Sequence, residues 1–367
     1  MSTNTKIEWA TKSWSPVLGC DRVSPGCDGC YAIRTVHRLA HNPSPKVGPL
    51  YVDLTERRDG RLDWTGNIRT IPERLNDPIE WRKPQRIFVN SQADLFHKDV
   101  PQDFIVKVLA VMAMAPQHTF LVLTKRHARM RSILSDPALQ ADVQAEVRRM
   151  HADRDWGEPL QKRWPLRNLH LGVSVEDQHW ADIRIPALLA TPAAVRWISA
   201  EPLLGPIDLD LPRCDTHGRD EIHADQNGQQ WCTDCSADGF GGELSYGHWL
   251  TLDGGLDGVI VGGESGPAAR PMNPNWARSL RDQCDEYGVP FAFKQWGEYR
   301  PLAMGPLSVR EETTPRDVWI DNAGTVTPNV DPCVVELDAR VMRRVGKKAA
   351  GRLLDGQLHD EYAAVAV

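Results

Sequence analysis

The chain has 367 residues, 41% hydrophobic and 25% charged, with a formal net charge of −6. This size and balance suit one large α/β domain with insertions, or two domains, and exclude a protein that engages nucleic acid through its overall field; any such contact must come from a local basic patch. The opening M-S-T-N-T-K-I-E-W has no apolar signal core, and the longest apolar run, 104–116, is short and broken by Lys107. No membrane span is expected, and the protein is placed in the cytoplasm.

In chain order, alternating positions Ile7, Trp9, Trp14 and Val17 predict a first strand over 7–19. It leads into G-C-D-R-V-S-P-G-C-D-G-C-Y at 19–31, which holds three of the eight cysteines, Cys20, Cys27 and Cys30. Pro25, Gly26 and Gly29 make this stretch a loop. Three thiolates on one loop can converge on a soft metal centre, either an iron–sulfur cluster with one iron left open or a zinc closed by a distant fourth ligand. Gly19 suits close approach of a ligand or cluster to the backbone. Tyr31, Ile33, Val36 and Leu39 have helical spacing over 31–41, and the Pro- and Gly-rich stretch 42–84 is expected to wrap the outside.

A repeated rhythm follows. Strands are predicted at 86–90, 119–123, 169–175, 195–199, 258–261 and 290–293, with helices at 102–114, 127–152, 178–190 and 274–286. Apolar strand, polar turn and amphipathic helix in repetition indicate a parallel α/β sheet: a complete or partial TIM-type (β/α) barrel, or a doubly wound open sheet. Each strand ends in residues able to do chemistry: Asn90, Ser91 and Asp94; Thr124 and Lys125; Ser174 and Glu176; Ser199 and Glu201; Gly262, Gly263 and Glu264; Lys294 and Gln295. Any one alone reads as a helix cap or solvated turn. Together, in phase with the cysteine loop, they point to a shared site at the strands' carboxyl ends.

Between Pro212 and Trp249 the rhythm stops. Cys214-x2-His217 and Cys232-x2-Cys235 form two short-bite pairs that match a closed structural zinc site, with His223 or His248 as alternatives to His217. A polar segment of this kind draws its folding energy from metal. Cys284 and Cys333 have no partner motif and read as structural. The organisation expected is barrel over 1–211, zinc-binding insert over 212–250, barrel again over 251–299, and a C-terminal extension over 300–367. That extension gathers Arg340, Arg343, Arg344, Lys347, Lys348 and Arg352, read as a basic helix able to meet phosphates or simply to face solvent.

The stretch I-E-W-A-T-K-S-W-S-P-V-L-G-C … S-P-G-C-D-G-C-Y-A at 7–32 resembles the opening of a family of phage and prophage proteins regarded as a variant branch of the radical S-adenosylmethionine (SAM) enzymes. The spacing here is C-x6-C-x2-C, against C-x3-C-x2-C in ordinary members of that superfamily. The resemblance continues through N-S-Q-A-D-L-F (90–96), L-T-K-R (123–126), G-V-S-V-E-D (172–177), S-A-E-P-L-L-G-P-I (199–207), V-G-G-E-S-G (261–266), F-K-Q-W-G (293–297) and V-G-K-K-A-A-G-R-L-L-D-G (345–356).

It implies that Cys20, Cys27 and Cys30 hold a [4Fe–4S] cluster whose open iron binds SAM, with reduction by an external electron donor giving a 5′-deoxyadenosyl radical. Ser91 and Asp94 are expected at the methionine end of SAM, and Glu201, Gly262 and Gly263 nearer ribose and adenine. Lys125, Glu176, Glu264 and Lys294 are expected to hold substrate or exchange protons. The implied reaction is isomerisation of an N-linked to a C-linked glycine on a modified thymidine, in DNA or as a nucleotide. Alternatives are a radical lyase acting on a thymine lesion and a non-catalytic, zinc-stabilised DNA-binding or partner protein. A metal-dependent hydrolase is disfavoured by the lack of a His-rich strand end.

Overall fold

The computed structural model describes residue 5 and residues 7–153, 164–209, 222–224, 230–232, 249–250, 254–302, 314, 317–328 and 339–362. Seven strands form the main sheet: β1 (Lys12–Trp14), β2 (Arg86–Val89), β3 (Thr119–Thr124), β4 (Leu169–Ser174), β5 (Val195–Ala200), β6 (Gly258–Gly262) and β7 (Phe291–Gln295). They lie side by side in chain order, and every pairing is parallel, with registers such as Ser13↔Phe88, Val122↔Leu171 and Val259↔Ile198.

A doubly wound sheet reverses its strand order at a switch point. This one does not, so successive right-handed crossovers put the connecting helices on one face and the sheet curls away from them. The result is an open, curled sheet with β1 and β7 at its edges, compatible with a partial β/α barrel.

The longer helices among the described residues are α1 (Tyr31–Ala40), α2 (Gln102–Met114), α3 (His127–Leu134), α4 (Leu139–Asp153), α5 (Gln178–Leu189) and α6 (Pro274–Tyr287). The apolar faces of α2 to α6 meet one set of strand side chains, including Ile87, Phe120, Leu171, Ile198, Val259 and Phe291, in the main core. The alternate residues Phe88, Leu121, Trp197, Ile260 and Ala292 face the concave side, where Trp9 packs on Phe88 and Trp197 at ring-centroid distances of 4.5 and 5.4 Å. Period-two alternation with apolar residues on both faces is what a parallel sheet covered on both sides requires. Gly172 makes room there, since a Cβ on it would lie 2.5 Å from the Trp197 indole.

The expected first strand over 7–19 is instead β1 and a separate pair of residues, Val17–Leu18, turned by Pro16 to pair antiparallel with Arg69–Thr70. The expected helix over 127–152 is two, α3 and α4. Proline disfavours helix in the residue before it, and the break falls at Ser135–Ala138, where Asp136 precedes Pro137 and its side chain accepts from the Ala138 N–H. The stretch 42–84 does more than wrap: Tyr51, Leu54, Trp64 and Ile71 form a second core with Ile33 and Val36 of α1.

The basic run is not a helix. Arg340–Arg344 is strand β11 of a four-stranded antiparallel sheet with β8 (Tyr299–Pro301), β9 (Asp317–Ile320) and β10 (Val326–Pro328), and only Lys347–Ala350 turns helically. Val341 joins a small cluster with Leu302 and Trp319, whereas Met342 on the other face enters the main core; that two-sided burial selects strand. Most of the arginines are spent: Arg343 on Asp317 at 2.8 and 2.9 Å, Arg344 on the Gly266 and Pro267 carbonyls, Arg352 on Asp360.

Within the insert, Ile222–Ala224 and Gln230–Cys232 pair as antiparallel strands. Cys214, His217, Cys235 and His248 lie outside the described residues, as do the side chains of His223 and Cys232 and all of Cys333. Among the described residues no helix is long and apolar enough to cross a membrane.

His170 of β4 sits on the concave side, 4% exposed, with Nδ1 unpartnered. Burial, assisted by the Arg86 charge, pushes its pKa from 6.5 down to about 4. Because the unfolded chain takes the proton first, this histidine's contribution to stability is complete above pH 6.5 and is lost as pH falls toward about 4. His170→Gln is therefore expected to flatten the fall in unfolding midpoint over that interval. An unchanged slope in a pH series of thermal unfolding would refute the assignment.

Candidate functional site

The parallel sheet brings all its carboxyl ends to one edge, and a cavity of about 260 Å³ opens there. Cys20, Cys27 and Cys30 all line it. So do Ser91, Asp94, Lys125, Glu201, Gly263, Glu264 and Lys294, which the sequence placed at strand ends. Glu176 and Gly262 do not line it: Glu176 lies fully buried behind the wall, and Gly262 sits beneath Glu201.

The cysteine loop is shaped by specific contacts. Gly19 takes φ +91°, and a Cβ on it would collide with the Asn67 carbonyl. Its small size thus admits the wrapping segment rather than a ligand. Pro25–Cys27 forms a 3-10 turn, and Cys30 stands at the start of α1.

Two buried carboxylates hold this loop from beneath. Glu176 accepts from Ser24 Oγ at 2.8 Å, from Arg184 at 2.9 Å and from Lys125 Nζ. Glu264 accepts from Arg270 through both oxygens, and the same guanidinium reaches the Pro25 carbonyl at 2.9 Å. The glycines before Cys27 and Cys30 make these contacts feasible: a Cβ on Gly26 would lie 2.5 Å from the Glu176 carboxylate, and one on Gly29 would strike Glu264 Oε1.

A third carboxylate, Asp94, accepts from Thr124 Oγ1, the Lys125 N–H, the Phe96 N–H and Arg126 Nη1 at 2.7–3.0 Å. Arg126 also grips Asp21, beside Cys20. Across the cavity Lys294 Nζ donates to both oxygens of Glu201 at 2.8 and 2.9 Å. Ser91 Oγ pairs with Ser13 Oγ at 2.8 Å, and the Ser91 carbonyl accepts from Tyr31 OH at 2.9 Å.

Burial pushes the Cys20 thiol up to about 12, the nearby Arg126 guanidinium opposing and Asp94 reinforcing the shift. Burial likewise raises Cys30, against the pull of the Ala32 and Ile33 N–H groups at the start of α1. Thiols so placed stay protonated until a metal displaces the proton. Burial alone would raise Glu176, but Lys125 and Arg184 together hold it below the usual carboxylate range. Among the described residues no three His, Cys, Asp or Glu side chains are gathered closely enough to hold a single ion.

The sequence reading missed Arg126, Arg184 and Arg270, the cations that fix the three carboxylates. Arg184 carried a signal, a charge in the apolar run D-I-R-I-P; Arg270 carried none. Trp9 and Trp64 also wall the cavity.

Glu176 and Arg184 are both fully buried. Removing one member of such a pair leaves the other uncompensated, so Glu176→Gln is expected to cost about 3–5 kcal/mol in denaturant unfolding. Glu201→Gln, whose partner faces the cavity, is expected to cost markedly less. Equal losses would remove Glu176 from its anchoring role.

No curated protein matches the chain, and no solved structure does. Residues 4–363 match the family described as "Protein of unknown function (DUF5131)", and the chain belongs to that family.

Proposed function

We propose that this chain is a radical SAM enzyme, with Cys20, Cys27 and Cys30 as ligands of a [4Fe–4S] cluster. The observation that carries the reading is the gathering of three thiols from one loop into the same cavity as the polar ends of a parallel sheet. The donor set fits: all three ligands are soft sulfurs, and they belong to a single loop seated on charged anchors. When bound, the cluster and SAM supply a 5′-deoxyadenosyl radical able to abstract a hydrogen atom, using one electron from an external donor.

The protein's own part is placement and exclusion of water. Trp9 and Phe88 close the cavity toward the concave side of the sheet, and Trp64 closes it from the wrapping segment. Asp94 is already saturated by protein donors, so it acts on the methionine end of SAM through Arg126 and the Lys125 backbone that it orients. Ser91 stands beside it, while Glu201 and Gly263 form the wall proposed for ribose and adenine. Lys125 and Lys294 present ammonium groups to substrate, each poised by a carboxylate. Glu176 and Glu264 hold the loop rather than exchange protons with substrate.

We read the curled sheet as a partial TIM-type barrel interrupted by a zinc-binding insert over 212–250. The substrate proposed is an amino-acid-modified thymidine, isomerised from N-linked to C-linked glycine; in duplex DNA the base must leave the stack to reach the cavity.

The test is anaerobic purification, iron reconstitution and reduction with dithionite in the presence of SAM. Formation of 5′-deoxyadenosine is expected, and its loss in Cys27→Ala. Zinc without iron, and no product, overturns the reading and leaves a zinc-stabilised binding protein. Product formed with a lesion-bearing thymine but not with glycyl-thymidine assigns a lyase instead.

A further inference from the structure

The charged residues lining the cavity are Asp21, Asp94, Lys125, Arg126, Glu201, Glu264, Lys294 and Lys347. The carboxylates are engaged by arginine or lysine, and three of the four cations are engaged in return. Lys347 is the exception: it lies exposed at the rim and pairs with no carboxylate among the described residues.

Its position is built. The Val345 and Gly346 N–H groups donate to the Glu298 carbonyl at 2.9 and 3.0 Å, and the Gly351 carbonyl accepts from the Trp296 N–H at 3.2 Å. These bonds fasten the turn Lys347–Ala350 to the end of β7. Glu298 in turn spends a side-chain oxygen on the Gly266 N–H at 2.9 Å.

A second group is unspent deeper in the same cavity. Asn90, 4% exposed and held at φ +58°, accepts from the Val17 N–H through Oδ1 at 3.1 Å. That bond fixes the amide's orientation and leaves Nδ2 buried with no partner among the described residues. A buried donor without an acceptor costs about 1–3 kcal/mol unless something supplies one.

From these two unspent donors we infer that the cavity takes the anionic group of its substrate, a carboxylate or a phosphate, on Lys347 and Asn90 Nδ2. The C-terminal extension is then part of the binding site. A free ammonium on the ligand finds no uncommitted carboxylate among the described residues lining the cavity, whereas an anion meets an exposed cation at the rim and a fixed amide within.

The choice of thymidine-like probes rests on the function proposed above. Equilibrium dialysis of the anaerobically purified full chain would compare thymidine, thymidine 5′-monophosphate and 5-carboxymethyl-2′-deoxyuridine. At least one anionic probe is expected to bind about tenfold or more tightly than thymidine, the probe preferred telling phosphate from carboxylate. Lys347→Met should abolish that preference and Lys348→Met should keep it. Asn90→Asp, which retains the acceptor for Val17 and replaces the donor with an acceptor, should weaken anion binding about tenfold. No preference in the unaltered protein, or a preference that survives Lys347→Met, overturns the inference. Cleavage of SAM without any nucleoside, measured in parallel, reports on the radical reading by itself: its absence beside an intact anion preference would sink that reading and leave this one standing.

Discussion

The contact on which the site depends is the buried carboxylate of Glu176. It sits where β4 hands over to α5, and it faces three donors that arrive from distant parts of the chain: Ser24 of the cysteine loop, Lys125 after β3 and Arg184 of α5. An ion pair taken fully out of water gains little net stability, because desolvation consumes most of the attraction. What it gains is position. A carboxylate that must keep all its donors leaves the loop one place to sit, and the absent Cβ of Gly26 lets the loop come that close. Glu264, Arg270 and Gly29 repeat the arrangement on the other side. The cysteine-bearing turn is therefore held on two charged anchors belonging to two different strand ends.

Those anchors coincide because of the sheet. With seven parallel strands in unbroken chain order, every strand delivers its last residue to the same edge, and the curl turns those residues inward. Small and large residues alternate across the concave side, as Gly172 opposite Trp197 illustrates. Trp9 and its neighbours fill the lower layer, so the space that remains lies at the strand ends under the cysteine loop. Architecture and site are one consequence of the same crossover rule.

The strands and most helices were legible because burial on both faces writes apolar runs and helical crossovers write amphipathic ones. The convergence of Ser91, Asp94, Lys125, Glu201, Glu264 and Lys294 was legible for the same reason: position after a strand fixes position at the edge. The jobs of these residues were not legible. Ser24 and Glu176 meet across 152 residues, and no local pattern encodes such a pairing. Gly26 and Gly29 read as loop formers when their deciding property is the close approach of carboxylates. The basic tail, rich in helix formers, became a strand because Tyr299–Pro301 and Asp317–Ile320 offered it partners on both edges. Tertiary pairing there outweighs helix propensity.

The tail's conversion from helix to strand also sorts its charges. In a strand, neighbouring side chains point to opposite faces, so Arg343 turns to Asp317 while Arg344 reaches the Gly266 and Pro267 carbonyls. Arg343 is consumed within the small sheet, tying β11 to β9, and Arg344 in fastening that sheet to the loop after β6. A continuous basic helix would have displayed its arginines and lysines together and implied a broad electrostatic surface. Folded as it is, the run spends its arginines internally and delivers Lys347 to the cavity rim, exposed and with no carboxylate partner among the described residues. The acidic net charge and the local basic stretch are thereby reconciled: most of the tail's arginines are structural, and of the two exposed lysines that follow them Lys347 lines the cavity while Lys348 does not.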